Sequence, residues 1–237
     1  MNTAIWFAGT GRSIKYSFEN IKRFLIDDIK NSDVIAYLAK SSRSSDVIKN
    51  YLGKLDNTNV DVFDEKPIDI NGYKFMNGWP PSTPNDLNTG RQNFFQMLRS
   101  KSILINLIND CEKKLNKSYD RIIFSRMDVI YEKPVSSIIE PLDLSSGTIW
   151  IPLFHNWLQG YNDRFAVSNR DGIEKYFSLY DNIEKYMKDG HEFQAERTLK
   201  YHLDKVGAKV QKFEILFARM RSDGAQHESF KDLYYEK

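Results

Sequence analysis

The sequence predicts an α/β fold in which a central, mostly parallel sheet is flanked by helices. Short apolar runs alternate with longer segments whose apolar residues recur at helical spacing, a pattern typical of parallel strands joined by crossover helices. The chain has 237 residues, of which 41% are hydrophobic. That size is sufficient for one sizeable core, so we expect a single domain over residues 1–237.

The composition excludes several classes of function. The formal net charge is only +2 and no basic stripe runs through the chain, so we expect no nucleic-acid partner. No stretch approaches the roughly 20 apolar residues that span a bilayer, so we expect no transmembrane segment. The single cysteine, Cys111, excludes an internal disulfide and is typical of a reducing compartment. These features predict a cytoplasmic protein.

The first predicted strand, residues 4–8, leads directly into the turn GTGRS at residues 9–13. A helix over residues 17–29 follows, with Ser17 as its N-cap. Glycines let the backbone approach an anion closely, and amides at a helix start point toward it. This order predicts a phosphate-binding turn, which the adjacent Arg12 favours. A tight turn without a ligand is the alternative.

The next elements extend the sheet and then interrupt the alternation. We predict a strand over 34–38, a helix over 46–55 and an outer strand over 59–63. Residues 64–88 contain many prolines and glycines and predict a long irregular loop, while their aromatic residues argue against disorder. A long helix follows over residues 88–117. Arg91 lies in its first turn, close to the loop, and is either a site residue or an exposed helix charge.

The central predicted strand contains the apolar residues 122–124 and ends in Arg126-Met127-Asp128. A continuous apolar run is typical of a strand covered on both faces. Open α/β sheets bind ligands beyond the carboxyl ends of their strands, so Asp128 is a candidate partner for a metal, a hydroxyl or a cation. The alternative is that Asp128 caps a turn and pairs with Arg126.

The second half of the chain continues the alternation. We predict a strand over 148–154, a polar aromatic loop over 155–163, a short strand over 164–168, a helix over 171–188, a helix that opens at 190–196, and a strand over 209–213 that closes the sheet. A glycine-containing tail with Arg219 and Arg221 follows.

The order of these motifs resembles that of the small GT-A-type glycosyltransferases that build bacterial surface polysaccharides and the glycans of large DNA viruses. The matching segments are IWFAGTGRS, YDRIIFSRMDVIYEKP, GYNDRFAVSNRDGIEKY, EFQAERTLKYHL and FARMRSDG. They occur in the family's order between residues 4 and 224. The resemblance implies a GT-A-like, Rossmann-like domain with a nucleotide-binding half over about 1–133 and an acceptor-side half over about 134–237.

The resemblance also implies a nucleotide-diphosphate sugar as donor, linked to UDP or GDP. In the family an Asp-x-Asp motif ends the central strand and holds a divalent metal on the diphosphate. Here Arg126 replaces the first Asp, and Asp128 remains as the expected ligand of Mn²⁺ or Mg²⁺. The residues expected to bind the nucleotide sugar are Ala8, Gly9, Thr10, Gly11, Arg12, Arg91, Arg126, Met127, Asp128, Arg219 and Arg221.

The acceptor is expected to be a glycan or another hydroxyl compound. Aromatic rings pack on the apolar faces of sugars, so the expected acceptor-binding residues are His155, Trp157, Tyr161 and His191. An inverting transfer needs a carboxylate to accept the hydroxyl proton, and the candidates are Asp163 and Glu196. The alternatives are an ion pair or cap for Asp163 and a dipole-favoured carboxylate at a helix start for Glu196. For Arg219 and Arg221 the choice lies between a lid over the phosphates and an exposed basic tail.

The predicted function is therefore metal-assisted glycosyl transfer of the hexosyltransferase type in polysaccharide biosynthesis. A nucleotidyltransferase needs the same sheet and a similar metal, but the turn after the first strand lacks a longer Gly-rich, Lys-containing sequence. A catalytically silent nucleotide-sugar binding protein is the other alternative, and the missing first Asp favours it.

Overall fold

A central seven-stranded sheet carries helices on both faces in the computed structural model of the chain, which confirms the predicted α/β class. The structure describes residues 1–40, 45–64, 66–77, 79, 84–227 and 229–230. Gly78, Pro80 and Pro81 of the predicted long loop lie outside the described residues. In the part of the chain that is described, no helix has both the length and the apolar character needed to cross a bilayer.

The large sheet has the strand order β10-β7-β8-β5-β1-β2-β3. Its strands are Thr3–Thr10 (β1), Ser32–Lys40 (β2), Thr58–Asp64 (β3), Arg121–Arg126 (β5), Ile149–Pro152 (β7), Phe165–Ser168 (β8) and Val210–Phe213 (β10). Two small sheets consist of Lys74–Phe75 (β4) with Glu192–Phe193 (β9), and of Val129–Tyr131 (β6) with Phe217–Arg219 (β11).

The helices cover both faces of this sheet. They are Ile14–Ile21 (α1), Ser45–Leu52 (α2), Pro84–Leu115 (α3), Ser136–Ile139 (α4), Arg170–Phe177 (α5), Leu179–Lys188 (α6) and Ala195–Lys205 (α7), with a π-helical stretch at Lys22–Ile26 and a 3₁₀ turn at Trp157–Gln159.

Successive residues of each strand point to opposite faces, which divides the core in two. On one face Ile5 and Phe7 of β1 pack with α1 and α2. On the other face Ala4 and Trp6 pack with α3, α5, α6 and α7. Because both faces are buried, β1 and β5 contain the continuous apolar runs 4–8 and 122–124, as the sequence predicted.

One strand of the large sheet, β8, runs against its neighbours. It pairs antiparallel with β5, where Ser125 faces Phe165, and antiparallel with β7, where Trp150 faces Val167. The other pairs in this sheet are parallel. The sheet also joins the two predicted halves of the chain, because β5 comes from the first and β8 from the second. The division into halves stays a prediction.

Several predicted boundaries differ from those observed. The first helix starts after Ser13 rather than at Ser17, whose buried hydroxyl donates instead to the carbonyl of Met127. The predicted helix over 171–188 is two helices separated at Ser178. The long helix begins at Pro84, and the predicted loop before it contains β4. In each case side-chain periodicity indicates the helix but does not fix its ends.

Candidate active site

A cleft of about 730 Å³ opens where β1 and β5 end and where β8 begins. Because β8 is antiparallel, its first residues reach the same edge as the last residues of β1 and β5. The backbone N–H of Arg126 donates to the carbonyl of Arg164 (3.1 Å), and Ala8 is the register partner of Arg126. Three strands thus bring residues that are distant in sequence to one place.

Most of the residues selected from the sequence line this cleft. They are Ala8, Gly9, Thr10, Arg12, Arg126, Met127, Asp128, Trp157, Asp163, Glu196, Arg219 and Arg221. The remaining predicted residues, Gly11, Arg91, His155, Tyr161 and His191, are not among the described residues that line it.

The turn after β1 has the form expected of an anion-binding turn. Gly9 has a φ of 104°, a conformation that residues with a side chain rarely adopt. Arg12 is exposed, and its Nε donates to Thr10 Oγ1 (3.1 Å). Gly11 faces away from the cleft, since a Cβ there would lie 2.5 Å from Ile48 Cδ1. Gly11 therefore allows close packing of the turn on α2.

Arg126 and Asp128 form a bidentate pair at the end of β5. Arg126 Nε donates to Asp128 Oδ1 (2.8 Å), and Arg126 Nη2 donates to Asp128 Oδ2 (2.6 Å). Burial by itself would raise the pKa of Asp128, but the charge and hydrogen bonds of Arg126 outweigh it and lower that pKa. Asp128 is accordingly an ionised carboxylate, and both its oxygens accept from an arginine.

Asp163, just before β8, is buried among cations. Burial would raise its pKa, but Lys101, Arg126 and Arg164 together lower it. Lys101 is itself only 2% exposed, and its Nζ donates to the Asp163 carbonyl (3.1 Å). Burial lowers the pKa of Lys101 to about 8 although Asp163 opposes that change. Asp163 is therefore held in its charged form.

The pKa of Glu196, in the first turn of α7, is shifted in the opposite direction from that of Asp163. Burial, followed by the negative charge of Asp163, raises the pKa of Glu196 to about 7. Its nearest cation is Arg164, whose Nη2 is 3.8 Å from Glu196 Oε1, and it also accepts a hydrogen bond from Gln194 Nε2. A carboxylate with a pKa near neutrality can accept a proton and release it under ordinary conditions.

The predicted basic tail is in part a strand. Arg219 ends β11, where it is the register partner of Val129, and the N–H of Met220 donates to the Asp128 carbonyl (2.8 Å). Burial and three neighbouring arginines, Arg164, Arg126 and Arg221, lower the pKa of Arg219 to about 10. Arg219 is thus fixed beside the Arg126–Asp128 pair, whereas Arg221 is exposed.

Two of the predicted acceptor-binding residues, His155 and Trp157, are in contact with each other beside the cleft. His155 is 5% exposed, and its Nδ1 accepts a hydrogen bond from Arg164 Nη1 (2.9 Å). Its ring lies 4.6 Å from that of Trp157, which is 42% exposed and lines the cleft. The Arg164 guanidinium lies over the Trp157 ring at 4.8 Å. Of this loop, Trp157 is the predicted aromatic residue that reaches the cleft.

Other predicted residues make contacts elsewhere. The His191 ring stacks on Tyr201 at 4.3 Å, and its Nε2 lies 3.0 Å from Thr198 Oγ1. The Tyr161 ring lies under the ammonium groups of Lys200 and Lys212. Sequence position places these rings near α7, but their side-chain directions follow from packing.

Arg91 lies on α3 with its guanidinium over the Phe75 ring at 4.3 Å. Such a contact stabilises by about 0.5–2 kcal/mol and fixes α3 against the long loop.

The carboxylates of the cleft do not fit a resident divalent cation. Asp128, the ligand implied by the resemblance, has both oxygens engaged by Arg126. Asp163 is surrounded by cations, and burial raises the pKa of Glu196 to about 7. Mn²⁺ and Mg²⁺ take several negatively polarised oxygens. Among the described residues, no group of three or more His, Cys, Asp and Glu side chains is arranged to hold a metal. The metal role of Asp128 stays a prediction.

Some of the lining was not selected from the sequence. These residues are Trp79, Gly90, Asn93, Phe94, Met97, Leu158, Arg164, Gln194, Ala195 and His227. Asn93 and Met97 are four residues apart on α3 and share a face, a signal that was visible beside the predicted loop. Arg164 directly follows Asp163, so the antiparallel direction of β8 would have been needed to recognise it.

No protein-family model matches the sequence, and no curated protein matches it. Similar folds occur among solved structures. The galactosyltransferase LgtC, in complex with donor and acceptor sugar analogs, is 15% identical with a TM-score of 0.53, and the match covers 89% of this chain and 73% of that one. The apo-form glycosyltransferase GlyE of Streptococcus pneumoniae TIGR4 is 12% identical with a TM-score of 0.50.

The GlyE match covers 89% of this chain but 45% of GlyE, so this chain spans less than half of that protein. At these identities the likeness concerns the fold. The chain has the mixed α/β fold of these glycosyltransferases, with a mostly parallel central sheet, and the predicted GT-A-like class is confirmed.

Proposed function

We propose that this chain is a glycosyltransferase that moves a sugar from a nucleotide-diphosphate sugar to a hydroxyl of a glycan or other acceptor. One observation carries the proposal: five arginines and three acidic residues converge in one cleft at the carboxyl edge of a GT-A-like sheet. The arginines are Arg12, Arg126, Arg164, Arg219 and Arg221. The fold shared with LgtC and GlyE supports the same reading.

The positive side of the cleft suits a diphosphate leaving group. Breaking the glycosidic bond leaves negative charge on the phosphate oxygens, and preorganised cations at that place lower the barrier. Arg126 and Arg219 stand at the ends of paired strands and Arg12 at a glycine turn, so their positions come from the sheet. We propose that the donor is linked to UDP or GDP and that its nucleotide lies over residues 8–12.

The negative side suits the acceptor hydroxyl. A general base works best when its pKa lies near the working pH. Glu196 meets that condition with a pKa of about 7, whereas Asp163 is held charged by Lys101 and arginines. We therefore assign the base to Glu196 in an inverting transfer, and to Asp163 the orientation of hydroxyls. Trp157 and Leu158, both exposed at the rim, offer an apolar platform for the acceptor sugar.

The test is turnover with defined donors. The purified chain is incubated with UDP- and GDP-linked sugars, with and without hydroxyl acceptors, and released nucleoside diphosphate is measured. Glu196→Gln should reduce transfer on the order of 100-fold or more while donor binding survives, because the amide cannot accept the proton. Asp163→Asn is the parallel variant. If both amide variants transfer sugar at the native rate, neither residue is the base.

A second function has one observation in its favour. The Arg126 contact on both oxygens of Asp128 also suits a nucleotide-sugar binding protein without catalysis. Binding of a donor without nucleoside diphosphate release would establish that function. Release of pyrophosphate from a sugar phosphate and a nucleoside triphosphate would instead establish a nucleotidyltransferase. The hexosyltransferase type, the role in polysaccharide biosynthesis and the cytoplasmic location stay predictions.

A further inference from the structure

The contact between Arg126 and Asp128 affects which groups in the cleft can bind a diphosphate. We infer, on the basis of the proposed function, that the donor diphosphate is bound and neutralised by the arginine cluster of Arg126, Arg219 and Arg12, so that donor binding requires no divalent cation. This inference specifies how the proposed donor is bound. The proposed function does not depend on it, since a transferase with or without a metal would satisfy that function.

The guanidinium of Arg126 occupies both oxygens of Asp128, at 2.8 and 2.6 Å, so a metal at this carboxylate would have to break a charge-assisted bidentate pair. Asp128 accepts hydrogen bonds from only two of the nitrogen atoms of this guanidinium, Nε and Nη2. Among the described residues, the side chain of Arg126 donates to no other group. The Asp128 carboxylate thereby orients Arg126 and leaves it able to donate to phosphate oxygens.

Five arginines line the cleft against three acidic residues. The positive charges crowd one another, because burial and then Arg164, Arg126 and Arg221 lower the pKa of Arg219. A divalent cation would add to this repulsion, whereas a diphosphate would relieve it. Arginine suits the role since its guanidinium keeps its charge and binds phosphate through parallel hydrogen bonds.

The fold fixes the backbone positions of the arginine cluster. Arg126 ends β5, Arg219 is held by the β11–β6 ladder, and Arg12 follows the Gly9 turn. The link between Met220 N–H and the Asp128 carbonyl ties two of these elements together at 2.8 Å. The guanidinium of Arg126 is already held by Asp128, so it loses little side-chain freedom when an anion binds, which favours affinity without a bridging metal.

The experiment compares UDP and GDP binding by calorimetry in EDTA and in Mn²⁺ or Mg²⁺. In the native chain we expect dissociation constants that differ by less than about threefold between these conditions, which is about half of a tenfold step in free energy. Arg126→Asp places a second carboxylate two residues before Asp128. We expect this variant to lose nucleotide binding in EDTA and to recover it with Mn²⁺. Arg23→Asp, an exposed change outside the cleft lining, is the matched control and should behave like the native chain.

A second variant covers the case in which Arg126→Asp fails to fold, as judged by circular dichroism. Arg219→Gln should weaken UDP and GDP binding about tenfold or more, equally in EDTA and Mn²⁺. Binding of UDP or GDP to the native chain only with Mn²⁺ or Mg²⁺ would overturn the inference and leave the proposed function standing. Absence of UDP, GDP and nucleotide-sugar binding under all conditions would overturn both.

Discussion

Glu196 and Asp163 are neighbouring carboxylates whose pKa values are shifted in opposite directions. The pKa of Glu196 is raised to about 7 by burial and by Asp163, whereas that of Asp163 is lowered because Lys101, Arg126 and Arg164 outweigh burial. Two carboxylates whose surroundings separate their pKa values are typical of sites that move protons. The difference comes from which side chains surround each carboxylate, and it has consequences for stability as well as for catalysis.

The first prediction concerns stability and pH. The pKa of Glu196 is higher in the folded chain, about 7, than its ordinary value of 4.5. Its neutral form therefore favours folding: this contribution is complete below about pH 4.5 and is lost as pH rises through 7. Glu196→Gln stays neutral, so the stability of the native chain relative to this variant should fall by roughly 3 kcal/mol across that window.

Urea unfolding at several pH values measures this difference. Glu19→Gln, on the exposed side of α1, is the control and should show no comparable change with pH. A constant difference between the native chain and Glu196→Gln across the window would mean that Glu196 titrates normally.

The second prediction concerns Arg12. This exposed arginine lines the cleft beside the glycine turn, and its Nε donates to Thr10 Oγ1. Because the proposed function assigns Arg12 to the diphosphate rather than to the acceptor hydroxyl, Arg12→Ala should raise the dissociation constant of the donor about tenfold while changing kcat less. Steady-state kinetics with varied donor separates the two effects. A fall in kcat with unchanged donor affinity would remove Arg12 from the donor site.

For single residues, the sequence indicated which positions lie at the cleft better than it indicated the directions of their side chains. Ala8 ends one apolar run, Arg126 and Asp128 follow another, and the ends of parallel strands share one edge of the sheet. Tyr161 lies in the predicted polar loop, but His191 lies before β9 rather than in the predicted opening of a helix, because α7 begins at Ala195. Both rings pack against α7 and its neighbours. Local sequence cannot indicate that orientation, because it is decided by tertiary contacts.

The most informative element is β8, whose direction the sequence did not reveal. Alternating strands and helices predicted a parallel sheet, and most pairs in the large sheet are parallel. β8 is preceded by a loop rather than a helix, and it runs antiparallel to β5 and β7. Its direction brings Asp163 and Arg164 into the cleft, so the loop 155–163 contributes to the site from the start of a strand.

The third prediction tests the contact between this loop and α7. The N–H of Tyr161 donates to the Glu196 carbonyl (2.9 Å), and a Cβ at Gly160 would lie 2.3 Å from the Glu196 carbonyl carbon. Gly160→Ala should therefore displace the loop from α7, reduce stability by about 1–3 kcal/mol and reduce turnover more than donor binding. Thermal unfolding and kinetics measure both.

Gly190→Ala is the comparison for this change. Gly190 has a φ of 79° but open space around its Cβ position, so alanine there incurs the backbone cost of about 1 kcal/mol without a clash. Native-like turnover in Gly160→Ala would show that the loop can move without disturbing Glu196.

For the molecule as a whole, the charge of the cleft matters more than the net charge of +2. Positive and negative residues almost balance over the chain, yet arginines outnumber acidic residues in the cleft. A concave site of one sign concentrates the field and attracts ligands of the opposite sign. The binding of a nucleoside diphosphate should consequently depend on salt.

The fourth prediction is that UDP or GDP affinity falls as sodium chloride is raised from low to physiological and higher concentrations. We expect a decrease of about tenfold, since exposed charges are screened beyond a Debye length of about 8 Å at physiological ionic strength. Arg221→Gln, which removes an exposed arginine of the lining, should flatten the dependence. Affinity that is independent of salt would show that the arginines do not carry nucleotide binding.

The lining of the cleft extends in sequence from Ala8 to His227. A ribosome delivers the chain from its amino end, so β1 and the glycine turn emerge before β11 with Arg219. Domains generally fold as units as they emerge. A partly synthesised chain that has already buried β1, β2 and β5 still lacks Arg219 and Arg221. On the proposed function, the capacity to bind a donor should therefore arise only after β11 has been synthesised and has paired with β6.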